Sequence, residues 1–426
     1  MGIRMQEEGV KIYKIFLALV FVCMTNFFGF YQYLPLGDRL YSNDYLYILI
    51  FLASILSLIL AVSRNGKFRI SGEFTGIWLM LLLLIVVEVF WTYSQYHQPI
   101  ILTLKEAFYY IVPFVSYQAY LQFKDRICFD EVANVLINVA IISSIVAFIA
   151  FFLYTFAGKN VLLLDDSSAQ NFRYGTIRFS VGGMVLPFSV IISAVRVMRN
   201  QYSKKDIINL ILAMLQLILI VKTRTVLLYL IATLLMCYMF EKRTRSWKKF
   251  LLVIGIIACV VGALISKDTF AYAAAAYVSS DTGIMIRFQT MSFYVNQFLN
   301  HPILGMGLLS ARKGIAGSEL MYGPTGQYYR SDVGLIGLLV TFGICGLLWV
   351  IVFLKSTLQK IRKNDNNETT IIKWCILYLV ITLINLSFMD SSRVMYVFIL
   401  TILAEASIVQ EHKVDKKIIT SCGDCD

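Results

Sequence analysis

The feature that most constrains this chain is a long succession of apolar segments, each about as long as a membrane-spanning helix. A transmembrane helix needs about 20 mostly apolar residues, and the 426-residue sequence contains many such runs. Apolar residues make up 58% of the chain and charged residues 15%, against roughly 45–50% and 25% in soluble domains. A soluble fold of this size could not bury so much apolar surface. The sequence therefore predicts a polytopic membrane protein.

We predict an all-α fold of about 12 transmembrane helices, with residues 1–426 forming a single integral membrane domain. The seventh and eighth spans are short and share a tight turn, and Glu405 weakens the twelfth. No A-x-A-like cleavage site follows the first span, so we expect a retained anchor. The predicted spans cover residues 12–34, 45–63, 74–93, 103–122, 131–157, 178–198, 206–221, 225–240, 250–266, 333–354, 370–389 and 394–410.

Positive charge sets the predicted orientation. With the N-terminus placed inside, about two thirds of the Lys and Arg residues fall on the inner side, as expected for cytoplasmic loops. Both termini are then cytoplasmic. The same trend accounts for the formal net charge of +12, so we expect the lipid bilayer and no nucleic acid as a partner.

The largest predicted polar region is an external loop between the ninth and tenth spans, at residues 267–332. Within it, a stripe of apolar residues at helical spacing predicts an amphipathic helix at about 284–299. We expect this helix to lie against the bundle or in the membrane interface, with Arg287 at the edge of any pocket and Tyr294 on a neighbouring face. The stripe consists of Ile284, Phe288, Met291, Val295 and Phe298.

Cations on the external side break the positive-inside trend and are candidate anion ligands. The turn between the seventh and eighth spans is Lys222-Thr223-Arg224-Thr225. It predicts an anion site, the alternative being snorkelling of its cations to lipid phosphate. Arg173 lies in a second external loop, at about 158–177, and Arg312 and Arg330 lie in or beside a Gly-rich stretch.

Two further external residues, His301 and Asp332, each have two alternative roles. His301 precedes a proline, which favours a turn residue, and a substrate contact is the alternative; without a second His or Cys nearby, no metal site is expected. Asp332 opens the tenth span and could cap a helix or act as a general base. No G-x-x-x-x-G-K-[ST] loop occurs, so a bound nucleotide is not expected either.

The order of these segments resembles the O-antigen ligase/polymerase superfamily. Members share an N/H-P-L-x-G-x-G segment after an amphipathic external helix, then a polar dipeptide that enters a Gly-rich span. Thr223-Arg224-Thr225-Val226 is similar to the family's Ser-Arg-x-x turn, and the resemblance covers about residues 170–350. The matching segments here are Arg287, Asn300-His301-Pro302-Ile303-Leu304-Gly305-Met306-Gly307, Ser331-Asp332-Val333-Gly334-Leu335-Ile336-Gly337 and Phe342-Gly343-Ile344-Cys345-Gly346.

The resemblance implies a GT-C-like membrane glycosyltransferase without a metal or other cofactor, in the cytoplasmic membrane of a bacterium. Its substrate would be an undecaprenyl-diphosphate-linked glycan on the outer face, and a chain-length regulator and a flippase would be candidate partners. Family arginines grip the diphosphate; Arg224 and Arg287 stand at the matching positions, and Arg178 is a candidate third.

Ligases of this superfamily have a His where this chain has Ser331-Asp332. The difference favours a polymerase of capsular, exopolysaccharide or O-antigen repeat units, with Asp332, Arg287 and Arg224 as catalytic residues. One alternative is the same transfer to another acceptor. Another is a 12-span polysaccharide transporter or flippase, which would be expected to show two related halves; none is visible in the sequence.

Overall fold

A computed structural model describes residues 2–33, 42–65, 68–162, 172–173, 176–179, 181–240, 282–310, 315–361 and 367–423. This part of the chain is helical apart from one antiparallel pair of two-residue strands, β1 (Phe172–Arg173) and β2 (Thr176–Ile177). The helices are α1 (Gly2–Met24), α2 (Ser42–Asn65), α3 (Thr75–Tyr96), α4 (Ile100–Leu121), α5 (Phe129–Ala157), α6 (Val185–Met198), α7 (Lys204–Gln216), α8 (Arg224–Phe240), α9 (Thr282–Asn300), α10 (Ile315–Tyr322), α11 (Gly334–Ile361), α12 (Asn367–Thr382) and α13 (Met395–Gly423).

The outward-facing side chains of these helices are those of a membrane protein. Leu83 and Phe90 of α3 are 66% and 65% exposed, an arrangement that suits lipid better than water. In the described part, five helices are long and apolar enough to cross a membrane, and the prediction of a helical membrane protein is confirmed. These five segments are Asp44–Ser63, Thr75–Tyr96, Ile100–Leu121, Phe129–Ala157 and Gly334–Ile361.

Four other described helices, α1, α6, α8 and α13, contain shorter apolar stretches. The total of twelve spans stays a prediction. The ninth predicted span, 250–266, lies outside the described residues.

Helix α13 occupies the centre of the bundle. It packs against α4, α5, α11 and α12, and residues 394–408 are all buried. Glu405 is fully buried within it, yet its carboxylate accepts hydrogen bonds from the Tyr117 hydroxyl (3.0 Å), the Lys124 amine (3.1 Å) and the Glu73 backbone N–H. The charge that weakens this span in the sequence is therefore satisfied by three partners.

Several predicted spans begin late or end early because the backbone turns at one end of each span. The predicted first span continued to residue 34, but α1 ends at Met24 and residues 26–29 all have positive φ. The predicted sixth span began at residue 178, but α6 begins at Val185, after Gly182 and Gly183 at φ +96° and +38°. A Cβ on Gly183 would lie 2.7 Å from the Met24 carbonyl oxygen, so these two turns pack tightly together.

The two ends of the bundle differ in their polar contacts. One end carries residues 301–310 and 315–333 and the connections α3–α4, α7–α8 and α12–α13; we call it the loop face. At the other end, ion pairs join neighbouring elements. They include Lys14–Glu131 (2.8 Å), Arg196–Asp130 (2.5 Å) and Lys360–Glu73 (2.6 Å).

Candidate active site

A break in helix α11 organises the loop face. At Gly343 (φ +58°, ψ −155°) the helix is interrupted, and the Ile344 N–H donates instead to the Pro302 carbonyl (2.9 Å). Before the break, the Val340 carbonyl accepts a hydrogen bond from the Met306 N–H (2.7 Å). A Cβ on Gly343 would lie 2.1 Å from the Ile303 oxygen. The Gly-rich segment, residues 302–307, is thus held against the helix by backbone contacts that leave no room for a side chain.

Helix α3 supports the next stretch of chain. The Trp91 indole N–H donates to the Gly305 carbonyl (3.0 Å), and the Thr92 hydroxyl accepts from the Leu308 N–H (2.9 Å). Gln98 accepts from the Ser310 N–H (2.8 Å). Residues 305–310 are consequently fixed along the C-terminal end of α3.

His301 lies beside the same helix end. Its ring meets the edges of Trp91 and Tyr96, with ring centroids 5.7 and 6.2 Å away. The Gly305 N–H donates to its carbonyl (2.8 Å), so the residue forms a turn. In the described part of the chain no group of three His, Cys, Asp or Glu side chains could hold a metal ion.

The structure brings Arg178 onto the turn before α8. Its guanidinium donates to the Val221 carbonyl and to the Thr223 hydroxyl, both at 2.9 Å. Helix α7 widens into a π-helical turn at Leu217–Val221, and Lys222 follows in a left-handed conformation. Burial lowers the pKa of the Lys222 amine. Cationic groups are thus gathered at a half-buried turn, where an anion would find little competition from water.

The apolar stripe of helix α9 is only partly covered by the protein. Phe288 of the predicted stripe is 67% exposed and Val295 is 38% exposed, whereas Thr290 and Tyr294 are buried. Met291 of the stripe packs beside Tyr294, so the helix contacts the bundle through part of the stripe while Phe288 and Val295 face outward. In a membrane protein this is physically reasonable, because apolar side chains can face lipid while polar ones find partners inside.

Tyr294 has no exposed surface. Its hydroxyl lies 2.5 Å from the Met321 carbonyl and 3.1 Å from the Tyr328 carbonyl, and burial raises the pKa of the phenol. In this arrangement Tyr294 anchors residues 321–328. Its expected contact with substrate stays a prediction.

Arg287, on the same helix, is exposed. It lies close enough to Tyr229 of α8 to interact with it electrostatically, and the Asn385 side chain hydrogen-bonds the Tyr229 hydroxyl. Arg287 is therefore within electrostatic range of α8, the helix that Arg224 begins. The side chains of Arg224 and Arg173, and all of Arg312, lie outside the described residues.

Asp332 ends a short 3-10 turn, Arg330–Asp332, directly before α11. Its carboxylate accepts from the Ser331 hydroxyl (3.3 Å) and lies 3.9 Å from the Arg393 guanidinium. Arg393 also donates to the Ser331 carbonyl (2.8 Å). Among the described residues no backbone N–H donates to the Asp332 carboxylate, so the helix-cap alternative finds no support. The side chain is 44% exposed.

Sequence reasoning missed the loop between α12 and α13. The predicted eleventh span continued to residue 389, but α12 ends at Thr382. The loop that follows contributes Asp390 and Arg393 to the loop face. The run Asp390-Ser391-Ser392-Arg393 between two apolar segments could have indicated this loop. Arg393 breaks the positive-inside trend in the same way as the external cations that are candidate anion ligands.

Charged residues on α3 and α4 complete this face. Lys105 pairs with the buried Asp44 (2.6 Å), and Glu106 hydrogen-bonds the Ser310 hydroxyl. Glu88 is fully buried, and neither carboxylate oxygen has a hydrogen-bond partner among the described residues. Glu106 is close to Arg330 and Asp390, and all three line one cavity.

Comparison with protein families gives one match to part of the chain. Residues 210–351 match the family described as O-Antigen ligase. The matched region begins in α7, includes α8, α9 and the Gly-rich segment, and ends within α11, so it contains Arg224, Arg287 and Asp332. The resemblance to the O-antigen ligase/polymerase superfamily is confirmed for this region. No match was found among curated proteins.

Proposed function

We propose that this protein is a GT-C-like membrane glycosyltransferase that polymerises undecaprenyl-diphosphate-linked repeat units. It acts on the outer face of a bacterial cytoplasmic membrane and makes capsular, exopolysaccharide or O-antigen chains. The observation that supports this best is the family match over residues 210–351, because that region contains Arg224, Arg287 and Asp332. The match supports a membrane enzyme of the ligase or polymerase type. The choice of polymerisation is our own proposal.

The cations suit a diphosphate leaving group. Transfer from a diphosphate lipid develops negative charge on the leaving oxygen, and fixed cations stabilise it in the transition state. Arginine binds phosphate oxygens through two parallel N–H groups. Arg178 is bound to the turn that precedes Arg224, and Arg287 is within electrostatic range of Tyr229 on α8; these contacts support the proposal that the arginines bind one diphosphate.

Asp332 is the proposed base. A carboxylate can take the proton of the acceptor hydroxyl as that oxygen bonds to the anomeric carbon and the bond to the diphosphate breaks. The side chain is partly exposed on the loop face, and Arg393 lies beside it.

The choice of polymerase over ligase depends on Ser331-Asp332, which replaces the His of ligases. In the polymerase reaction both donor and acceptor are lipid-linked glycans, so both enter from the membrane. A flippase that supplies them and a chain-length regulator are the partners we propose.

Deletion of the gene in its own host tests this proposal. We expect the deletion strain to lose long-chain polysaccharide and to accumulate a lipid carrying one repeat unit, with both defects reversed by a plasmid copy. Lipids from spheroplasts, treated with mild acid and resolved by size, give the measurement.

The alternatives give different results. Loss of a flippase would leave the same lipid inaccessible to a glycosidase added outside. Loss of a ligase would leave long chains attached to the carrier lipid. Either result would overturn the polymerase assignment.

A further inference from the structure

The loop face contains a small polar cavity whose lining residues have no role in the proposed binding of the diphosphate. It lies between α4, residues 308–309, the 3-10 turn that begins at Arg330, α11 and the loop between α12 and α13. Its volume is about 30 Å³, which is enough for about two water molecules. A sugar ring does not fit inside, but one hydroxyl or hydroxymethyl group does. Its polar lining is Glu106, Arg330, Thr341, Ser387, Asp390 and Ser391.

Arg330 supplies an unused hydrogen-bond donor to this cavity. Its Nη1 is buried and has no hydrogen-bond partner among the described residues. Its Nη2 reaches only the Leu309 carbonyl, at 3.5 Å. A buried guanidinium N–H without an acceptor is unfavourable, so an oxygen atom from a ligand would stabilise this arrangement.

Two carboxylates supply acceptors beside it. Asp390 is fixed by its own turn, because its Oδ1 accepts from the Ser392 N–H (3.0 Å) and from the Ser392 hydroxyl (2.5 Å). Its Oδ2 makes no hydrogen bond in the described part of the chain. Glu106 is held by the Ser310 hydroxyl. The lining therefore offers two carboxyl groups and one guanidinium donor.

We propose that this cavity is an acceptor subsite that takes one hydroxyl or hydroxymethyl group of an uncharged sugar residue. The sugar hydroxyl donates to Glu106 or Asp390, and its oxygen accepts from Arg330. A sugar acid would add a third carboxyl group beside Glu106 and Asp390, which disfavours it in the same place. The inference depends on the proposed glycosyl transfer and adds the residues that hold the acceptor.

The subsite is adjacent to the proposed base. Arg330 and Asp332 belong to one 3-10 turn. Arg393, which lies at the far end of the loop that contains Asp390, donates to the Ser331 carbonyl. A sugar anchored in the cavity would therefore present its neighbouring hydroxyls near Asp332.

Kinetics of the purified full-length protein test the subsite. The substrate is the one-repeat-unit lipid extracted from the deletion strain. Loss of one charge-assisted hydrogen bond weakens binding by about 10-fold or more. We therefore expect Glu106→Gln and Asp390→Asn each to raise KM by about that factor, with a much smaller change in kcat. Glu319→Gln is the matched control, because Glu319 is exposed on α10.

Direct binding gives a second readout. Saturation-transfer NMR with the repeat-unit oligosaccharide freed from its lipid should show transfer to wild type and weakened transfer to both variants. Thr341→Leu fills the cavity without removing a charge, and the same weakening is expected. If a carboxylate variant does not fold, Thr341→Leu tests the subsite in its place.

The outcomes separate the two proposals. A wild-type protein that forms no polymer refutes the proposed function. An active wild type whose cavity variants keep wild-type KM and oligosaccharide binding refutes the subsite alone. A loss of kcat at unchanged KM also refutes it, since these residues would then act in the chemical step.

Discussion

At the scale of single residues, Asp332 and Arg393 are in contact although they lie far apart in the sequence. They open different helices, α11 and α13, and meet because Arg393 reaches the Ser331 carbonyl. Within the described residues, no backbone N–H donates to the Asp332 carboxylate. Its carboxylate is therefore available for proton transfer and is not occupied in closing a helix end.

Asp332→Asn tests this role. Asn keeps the shape and hydrogen-bonding capacity of Asp but cannot take a proton, so we expect the rate of polymerisation to fall by about 10²–10⁴. Thermal unfolding should be almost unchanged, because the side chain is partly exposed. Polymer formation at the wild-type rate would remove Asp332 from the chemistry and direct attention to His301.

The arginines make a second prediction at this scale. Arg178→Ala, Arg224→Ala and Arg287→Ala should each lower the polymerisation rate by about 10²–10³, the usual cost of losing one preorganised donor to a developing anion. Lys should restore little, because it lacks the bidentate fork. Arg69→Ala, which breaks a half-exposed ion pair with Asp125 on the opposite face, is the control. Equal activity of the Arg287 variant and this control would refute the diphosphate site.

At the scale of elements, the main structural feature of the site is the Gly-rich segment, which crosses helix α11 at its break. The sequence predicts the helices on either side because their apolar runs are long. It does not predict the break, since residues 334–354 read as one continuous apolar span. Gly305 and Gly343 lie where two segments distant in sequence come into backbone contact, and a side chain at either position would not fit. Helical periodicity does not encode such a contact.

Gly343→Ala tests the crossing. The backbone conformation at this position suits glycine alone, and the new Cβ would meet the Ile303 oxygen. We expect destabilisation by at least about 1–3 kcal/mol, measured as thermal unfolding in detergent. Gly76→Ala is the matched control, because a Cβ there meets nothing within 4 Å and Ala is the better helix former. Similar unfolding temperatures for both variants would contradict the crossing.

At the scale of the whole molecule, the sequence predicts the membrane class well and the site in part. Apolar runs locate helices such as α3 and α5 closely, since burial in lipid is encoded by composition alone. The loop between α12 and α13 is missed because Ser387 and Met389 read as a continuation of the apolar run. Asp390 and Arg393 become part of the site only through packing between distant segments.

The orientation makes a whole-molecule prediction. Cysteine placed at Thr325, which is exposed on the loop face, should react with an impermeant maleimide in intact cells or spheroplasts. Cys422 and Cys425 should react only after the membrane is permeabilised, because the positive-inside rule places the tail in the cytoplasm. Labelling of the tail and not of position 325 would invert the protein and exclude an external site.

The most direct measurement of the central claim is the yield of free undecaprenyl diphosphate per glycosidic bond formed by the purified protein. Both products are measured from the one-repeat-unit lipid alone, without nucleotide. We expect one carrier lipid released for each bond, with chains lengthening on a gel, and we expect neither product from the Arg287→Ala variant. Carrier release without chain growth, or no bond formation by a folded wild-type protein, would contradict a polymerase.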